Sequence, residues 1–129
     1  MSGTSRGPAA PPAAPAVPAP QGFIWLPEDD FVKHFASGVD PVRARVLHAA
    51  QQPLAGSSFT DVMGTPSWKS RPSWYMVATG DQAIPPGAER LFASRMGATT
   101  VEVDAGHLAM VSHPGETAQL ITAAAEALS

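Results

Sequence analysis

Two apolar runs, each ending in a polar turn, constrain this chain more than any other feature. The first is Trp74-Tyr75-Met76-Val77-Ala78, which leads into Thr79-Gly80-Asp81. The second is Thr99-Thr100-Val101-Glu102-Val103, which leads into Asp104-Ala105-Gly106-His107. Both read as strands, and the first is apolar on both faces, as a strand buried in a parallel sheet should be. Between them Pro85-Pro86 opens a helix, Ala88, Leu91, Phe92 and Met96 recur at helical spacing, and Gly97 supplies a stop. Strand, helix and strand imply parallel neighbours joined by a right-handed crossover. Both turns then open on the edge outside the carboxyl ends of the strands, where open α/β sheets bind ligands. A last helix over residues 115–128, expected to bury Ala118, Leu120, Ile121, Ala124 and Leu128, completes a β-α-β-α pattern.

The chain has 129 residues, enough for one modest domain. Residues 1–20 are not expected to contribute to its core. They hold Pro8, Pro11, Pro12, Pro15, Pro18 and Pro20, spaced mostly by alanine, and read as an extended, disordered tail. The folded part is expected to be residues 21–129. Net charge is −3 with no basic cluster, which argues against nucleic acid as a partner. There is no cysteine, so disulfides and thiolate metal sites are excluded. No apolar run has the length of a membrane span, and the Ala/Pro tract lacks the apolar region of a signal peptide. A cytoplasmic protein without a membrane partner is the expectation.

Upstream of the strands the pattern is helical. Phe23-Ile24-Trp25-Leu26 is an apolar patch closed by Pro27. Glu28-Asp29-Asp30 starts a helix with acidic residues in its first turn, Phe31, Val32 and Phe35 give it an apolar face, and Gly38 ends it. Asp40-Pro41 is an N-cap followed by proline, and the helix it opens runs to about Gln52 with Val42, Val46, Leu47 and Ala50 on one stripe. A short helix over residues 58–63 and a loop to Pro72 follow.

His107 sits directly after a strand and beside a glycine, and Asp81 occupies the corresponding turn one strand earlier. A histidine acts as a general base when a carboxylate on its other ring nitrogen fixes the tautomer and stabilises the cation. Read singly, Asp81 is a turn aspartate capping its own loop and His107 a polar residue opening a helical segment. Read together, at the ends of adjacent strands, they are two members of a nucleophile–histidine–acid system. His34 and His48 fall on helices and read as exposed, and His113 precedes Pro114 at the start of the last helix. None shows a helical ligand-pair spacing, so neither a metal nor another cofactor is expected.

Residues 72–81 through Ile84-Pro85-Pro86 resemble the acid strand and loop of small α/β-hydrolases. So do residues 97–103 with Gly106-His107 and Val111-Ser112-His113-Pro114. The resemblance is to the esterase-like branch, similar to plant methylesterases and hydroxynitrile lyases, and extends over residues 21–129. It implies a partial α/β-hydrolase fold: cap helices over residues 28–66, then the last two parallel strands and their helices over residues 72–129. It implies that Asp81 is the acid and His107 the catalytic histidine, with Trp25, Phe31 and Phe35 near the substrate.

That family carries its G-x-S-x-G nucleophile elbow ahead of the cap. The one literal match here, Gly3-Thr4-Ser5-Arg6-Gly7, lacks the preceding strand, and the prolines after it forbid the following helix. Ser57 and Ser58, after Gly56, read as a helix cap. The chain is therefore expected to hold only the Asp and His of a triad acting on a small ester or related acyl compound, as the C-terminal half of a hydrolase. On that reading it is inactive alone. The alternatives are a non-catalytic remnant that binds a small apolar ligand, and a piece that docks its open sheet edge on another chain or on itself.

Overall fold

A computed structural model describes residues 22–129 together with the backbone of Val17–Pro18. The expected disordered tail over residues 1–20, and the Gly3–Gly7 match with Ser5, lie outside the described residues except at that dipeptide. There, β1 (Val17–Pro18) pairs antiparallel with β2 (Phe23–Trp25), Val17 opposite Trp25 and Pro18 opposite Ile24. On its other side β2 pairs with β3 (Leu54–Ala55), which makes a three-stranded antiparallel sheet that the sequence pattern did not announce.

Helix α1 (Glu28–Asp30) runs straight into a π-helical turn, Phe31–Phe35, in place of the continuous α-helix expected to Gly38. The turn closes through the Ala36 amide and the Phe31 carbonyl, five residues apart at 2.7 Å. Helix α2 (Pro41–Ala49) starts as expected, with Asp40 Oδ2 accepting from the Arg43 amide at 3.0 Å, but ends three residues short of Gln52. Its inward face is also different. Val42 and Val46 are exposed, whereas Ala44 is fully buried and Leu47 half-buried. The core here is Phe31, Ala36 and Ala44, wrapped by Leu26, Val39, Leu47 and Leu108. Close approach of backbones selects the small residues. Short 3₁₀ turns at Gly56–Phe59 and Ser67–Lys69 replace the helix expected over 58–63.

The second region has the expected order of strand, helix and parallel strand. Strands β4 (Trp74–Ala78) and β5 (Thr99–Val103) pair in parallel, from Trp74 opposite Thr99 to Ala78 opposite Val103. The crossover helix α3 (Pro86–Met96) has Pro86 in its first turn and ends at Gly97, whose φ of 60° is the left-handed conformation that glycine adopts without strain. Its buried face is Glu89 and Ala93; Leu91 and Phe92, expected to pack inward, are exposed. The last segment divides into α4 (Ala109–Ser112) and α5 (Pro114–Glu126) at His113 and Pro114. Of the residues expected to be buried there, Leu120 and Ala124 are half-covered. Ala118 is exposed, as are Ile121 (64%) and Leu128 (65%). The sheet's small core is Val103, Ala105 and Ala109 with Met76 against them. Among the described residues no helix is long and apolar enough to cross a membrane.

Candidate active site

The parallel ladder continues past the ends of its strands. The Thr79 amide donates to the Val103 carbonyl at 2.9 Å, and the Gly80 amide to the Ala105 carbonyl at 3.0 Å. Thr79 Oγ1 adds a third bond to Val103 at 3.2 Å. These bonds tie the two turns side by side and so bring Asp81 to His107. Nδ1 of His107 donates to Asp81 Oδ2 at 2.7 Å. The other oxygen, Oδ1, accepts the amides of Ala83 (2.7 Å) and Ile84 (2.9 Å). The local role of a turn aspartate and the longer-range role of a histidine partner are thus carried by different oxygens of one carboxylate.

The electrostatics follow from those contacts. Burial pushes the Asp81 pKa up, but the Ile84 amide, Glu89, His107 and the Ala83 amide outweigh it and hold the group below its ordinary value. With Nδ1–H committed to a carboxylate, Nε2 of His107 presents its lone pair as a base. The imidazole is half-buried, and its ring stacks at a tilt on Phe35, centroids 4.6 Å apart. The loop is held from the other side by Gly106, which is buried. A β-carbon there would run into the Ser37 carbonyl oxygen and lie 2.7 Å from Ser37 Oγ. Glycine is required because the backbone after the π-helical turn passes directly over it. Ser37 is thus the serine packed on this loop, yet among the described residues no serine hydroxyl bonds to His107.

Trp25, Phe31 and Phe35, which the resemblance put near the substrate, all line one apolar cavity of about 410 Å³, together with Ile24, Leu26, Leu54 and Phe59. Neither Asp81 nor His107 lines it. They face a second, shallower cavity of about 290 Å³ bounded by Tyr75, Met76, Glu89 and Met110. Phe35, which lines the larger cavity, packs on His107, which lines the smaller; Gln82, also in the larger cavity and next to Asp81 in sequence, accepts from His34 Nδ1 through its Oε1 at 2.9 Å.

Two histidines depart from the exposed helix positions expected of them. His34 is half-buried and lines the larger cavity. His48 is half-buried as well; its Nε2 donates to the Leu26 carbonyl at 2.8 Å and its ring meets Trp25 and Phe31 edge-on. It braces the cavity wall. His113 precedes α5 as expected, and its Nδ1 accepts from Ser112 Oγ at 2.9 Å.

Sequence reasoning missed Glu89. It is 4% exposed, and its Oε2 accepts the Ala78 amide at 2.9 Å. Burial, the hydrogen bond it shares with Asp81 and the Asp81 charge push its pKa up to about 7, against the Ala78 amide and Arg90. The available signal was its position four residues before Ala93, the two forming α3's small inward stripe.

The parallel pair and its crossover helix thus carry an Asp–His pair at their carboxyl edge. Residues 1–120 match the profile of the alpha/beta hydrolase family, and the chain belongs to that family. No curated protein matches it.

Proposed function

We propose that this chain supplies the acid and the histidine of a Ser-His-Asp relay in an esterase-like hydrolase of small acyl compounds. The observation that carries the reading is the 2.7 Å bond from His107 Nδ1 to Asp81 Oδ2, with Oδ1 pinned by two amides. Asp81 holds the tautomer and stabilises the cation. His107 Nε2 takes the proton from a serine hydroxyl and returns it to the leaving group. The acyl or alcohol portion of the substrate lies in the cavity of Trp25, Phe31 and Phe35. The nucleophile is the member that the described residues do not offer. No cofactor takes part.

A second reading is favoured by the cavity itself, whose lining is mainly apolar: a binding protein for a small apolar ligand. Self-association through the sheet belongs with it, because among the described residues β4 pairs with β5 alone, and unpaired strand edges invite another strand.

The test is hydrolysis of short acyl esters by residues 1–129, alone and mixed with a hydrolase segment bearing a G-x-S-x-G elbow. The chain alone is expected to show no triad-type turnover. The mixture is expected to turn over, and Asp81→Asn or His107→Ala is expected to lower its kcat by about 10⁴-fold. Turnover indifferent to both substitutions would remove the hydrolytic reading. Turnover by the chain alone that vanishes in Ser5→Ala would assign the nucleophile to the tail.

A further inference from the structure

We propose that Glu89 is a positioning residue for the Asp81–His107 pair, a neutral carboxyl that donates to Asp81 while it accepts the Ala78 amide. The inference rests on reading Asp81 and His107 as relay partners. Glu89 stands in the first turn of α3, and Ala78 is the last residue of β4, so its carboxyl is wedged where the strand gives way to the Asp81 turn. It lines the same cavity as Asp81, both carboxyls are buried, and the Asp81 amide donates at 3.2 Å to the carbonyl of the same Ala78 whose amide Glu89 accepts. Two buried carboxyls brought together in this way share a hydrogen bond only when one of them carries a proton.

The donors around the pair decide which one. Asp81 accepts three N–H groups, from Ala83, Ile84 and His107, and each favours its anion. Glu89 accepts one, from Ala78. The proton therefore resides on Glu89. The other charged and titratable neighbours do not alter this. Tyr75 comes from β4 as a weak acid whose ionisation is opposed by burial and then by Glu89 and Asp81. Arg90, next along α3, is turned to Glu102 of β5, with Nε at 2.6 Å and Nη2 at 3.0 Å. His107 reaches Glu89 only through Asp81. Among the described residues no free cation is bonded to the pair to hold a second negative charge, and ionising Glu89 would set two buried anions against one imidazole.

With Glu89 neutral, Asp81 receives a fourth donor and its charge stays aimed at His107 Nδ1. A glutamate that merely capped the end of β4 would keep its bond to Ala78 and leave Asp81 and His107 indifferent to its proton.

The experiment is NMR titration of the full chain labelled with ¹³C at side-chain carboxyls and ¹⁵N at histidine. The Glu89 carboxyl carbon is expected to titrate near 7, displaced from its ordinary 4.5. The Asp81 carboxyl carbon and the His107 Nδ1–H resonance are expected to move with the same midpoint. In Glu89→Gln the amide donates to Asp81 and its oxygen still accepts from Ala78. That variant should lose the shared step and keep the Nδ1–H resonance; Glu89→Ala should lose the resonance. If Glu89→Ala does not fold, Glu89→Gln carries the comparison alone. Titration of Glu89 near 4.5, or a shared step that survives in Glu89→Gln, would overturn the proposal. None of these signals needs turnover. Their failure leaves the hydrolytic reading standing, and a failed ester assay leaves them readable.

Discussion

The two regions of this molecule are built on opposite principles. From Phe23 to Phe59 the chain packs aromatic rings around small residues and leaves a cavity: Phe31 and Phe35 lie 5.1 Å apart, His48 meets Phe31 at 5.4 Å, and Ala36 and Ala44 are fully buried beneath them. No carboxylate is buried there. From Trp74 to Glu126 the buried hydrophobic residues are alanines and valines, and two carboxyls, Asp81 and Glu89, are buried among them. Apolar burial shapes the first region, whereas backbone ladders and charge-assisted bonds fix the second. A parallel sheet is ordinarily covered on both faces. Here Leu91, Phe92, Val101, Met110, Ile121 and Leu128 all face outward, so the second region holds its polar geometry with little apolar cover. His107 stands where the two meet, with Nδ1 on Asp81 and its ring on Phe35.

The junction is the most sensitive point. Gly106→Ala puts a β-carbon into the Ser37 carbonyl, and backbone cannot yield as a flexible side chain can. The expected loss is on the order of 2–3 kcal/mol in urea unfolding, with separation of the Phe35 and His107 rings. A Gly106→Ala variant as stable as the parent would mean that the two regions are not held together at this contact.

The buried carboxyls sharpen the contrast through pH. Glu89 is raised in the folded protein to about 7 from 4.5, so the native state binds more protons than the unfolded chain between those values. Its contribution to stability is present below about 4.5 and is lost as pH rises through about 7. Asp81 has the opposite sign: its pKa is lowered, so its contribution is present above 3.8 and fades as pH falls through its folded value. Glu89→Gln is expected to flatten the decline toward neutral pH, an effect on the order of 1–3 kcal/mol, and to leave the acid limb unchanged. The readout is urea midpoint against pH.

Phe35→Ala tests the link from the aromatic side. The ring is half-buried, so the expected cost is about 1–2 kcal/mol, below that of a fully buried phenylalanine. Binding of a small apolar ester in the cavity should weaken while the Asp81–His107 bond, read by its Nδ1–H resonance, persists. Loss of that resonance would show that the ring positions the imidazole.

The same division explains what could be read in the sequence. β4, α3 and β5 are bounded by strong local signals: an unbroken apolar run, a Pro-Pro start and a left-handed glycine stop. Asp81 and His107 follow because the ends of parallel neighbours share an edge. The π-helical turn did not follow, since Phe31, Val32 and Phe35 satisfy an α-helical pattern equally well. The sheet of β1, β2 and β3 rests on strands of two or three residues, too short for alternation to register. Glu89 was hidden by the rule that apolar residues face inward. On α3 the larger residues Leu91 and Phe92 face outward, and a glutamate with an alanine takes the inner face.

The smallest expected effect concerns the edge of the aromatic region. β1 contributes two residues of antiparallel pairing, opposite Trp25 and Ile24. One of them is Pro18, which has no amide to donate, so the pairing is thinner than its length suggests. A backbone hydrogen bond is worth about 1 kcal/mol net, and ordering the residues that make it costs a similar amount each. β2 keeps its partner β3 on the other side, through Phe23 opposite Ala55 and Ile24 opposite Leu54. Deletion of residues 1–20 is therefore expected to cost less than about 1 kcal/mol in urea unfolding and to leave the cavity of Trp25 and Phe31 able to bind an apolar probe. A larger loss, together with loss of probe binding, would make β1 a wall of that cavity. The aromatic region would then depend on chain outside its own core.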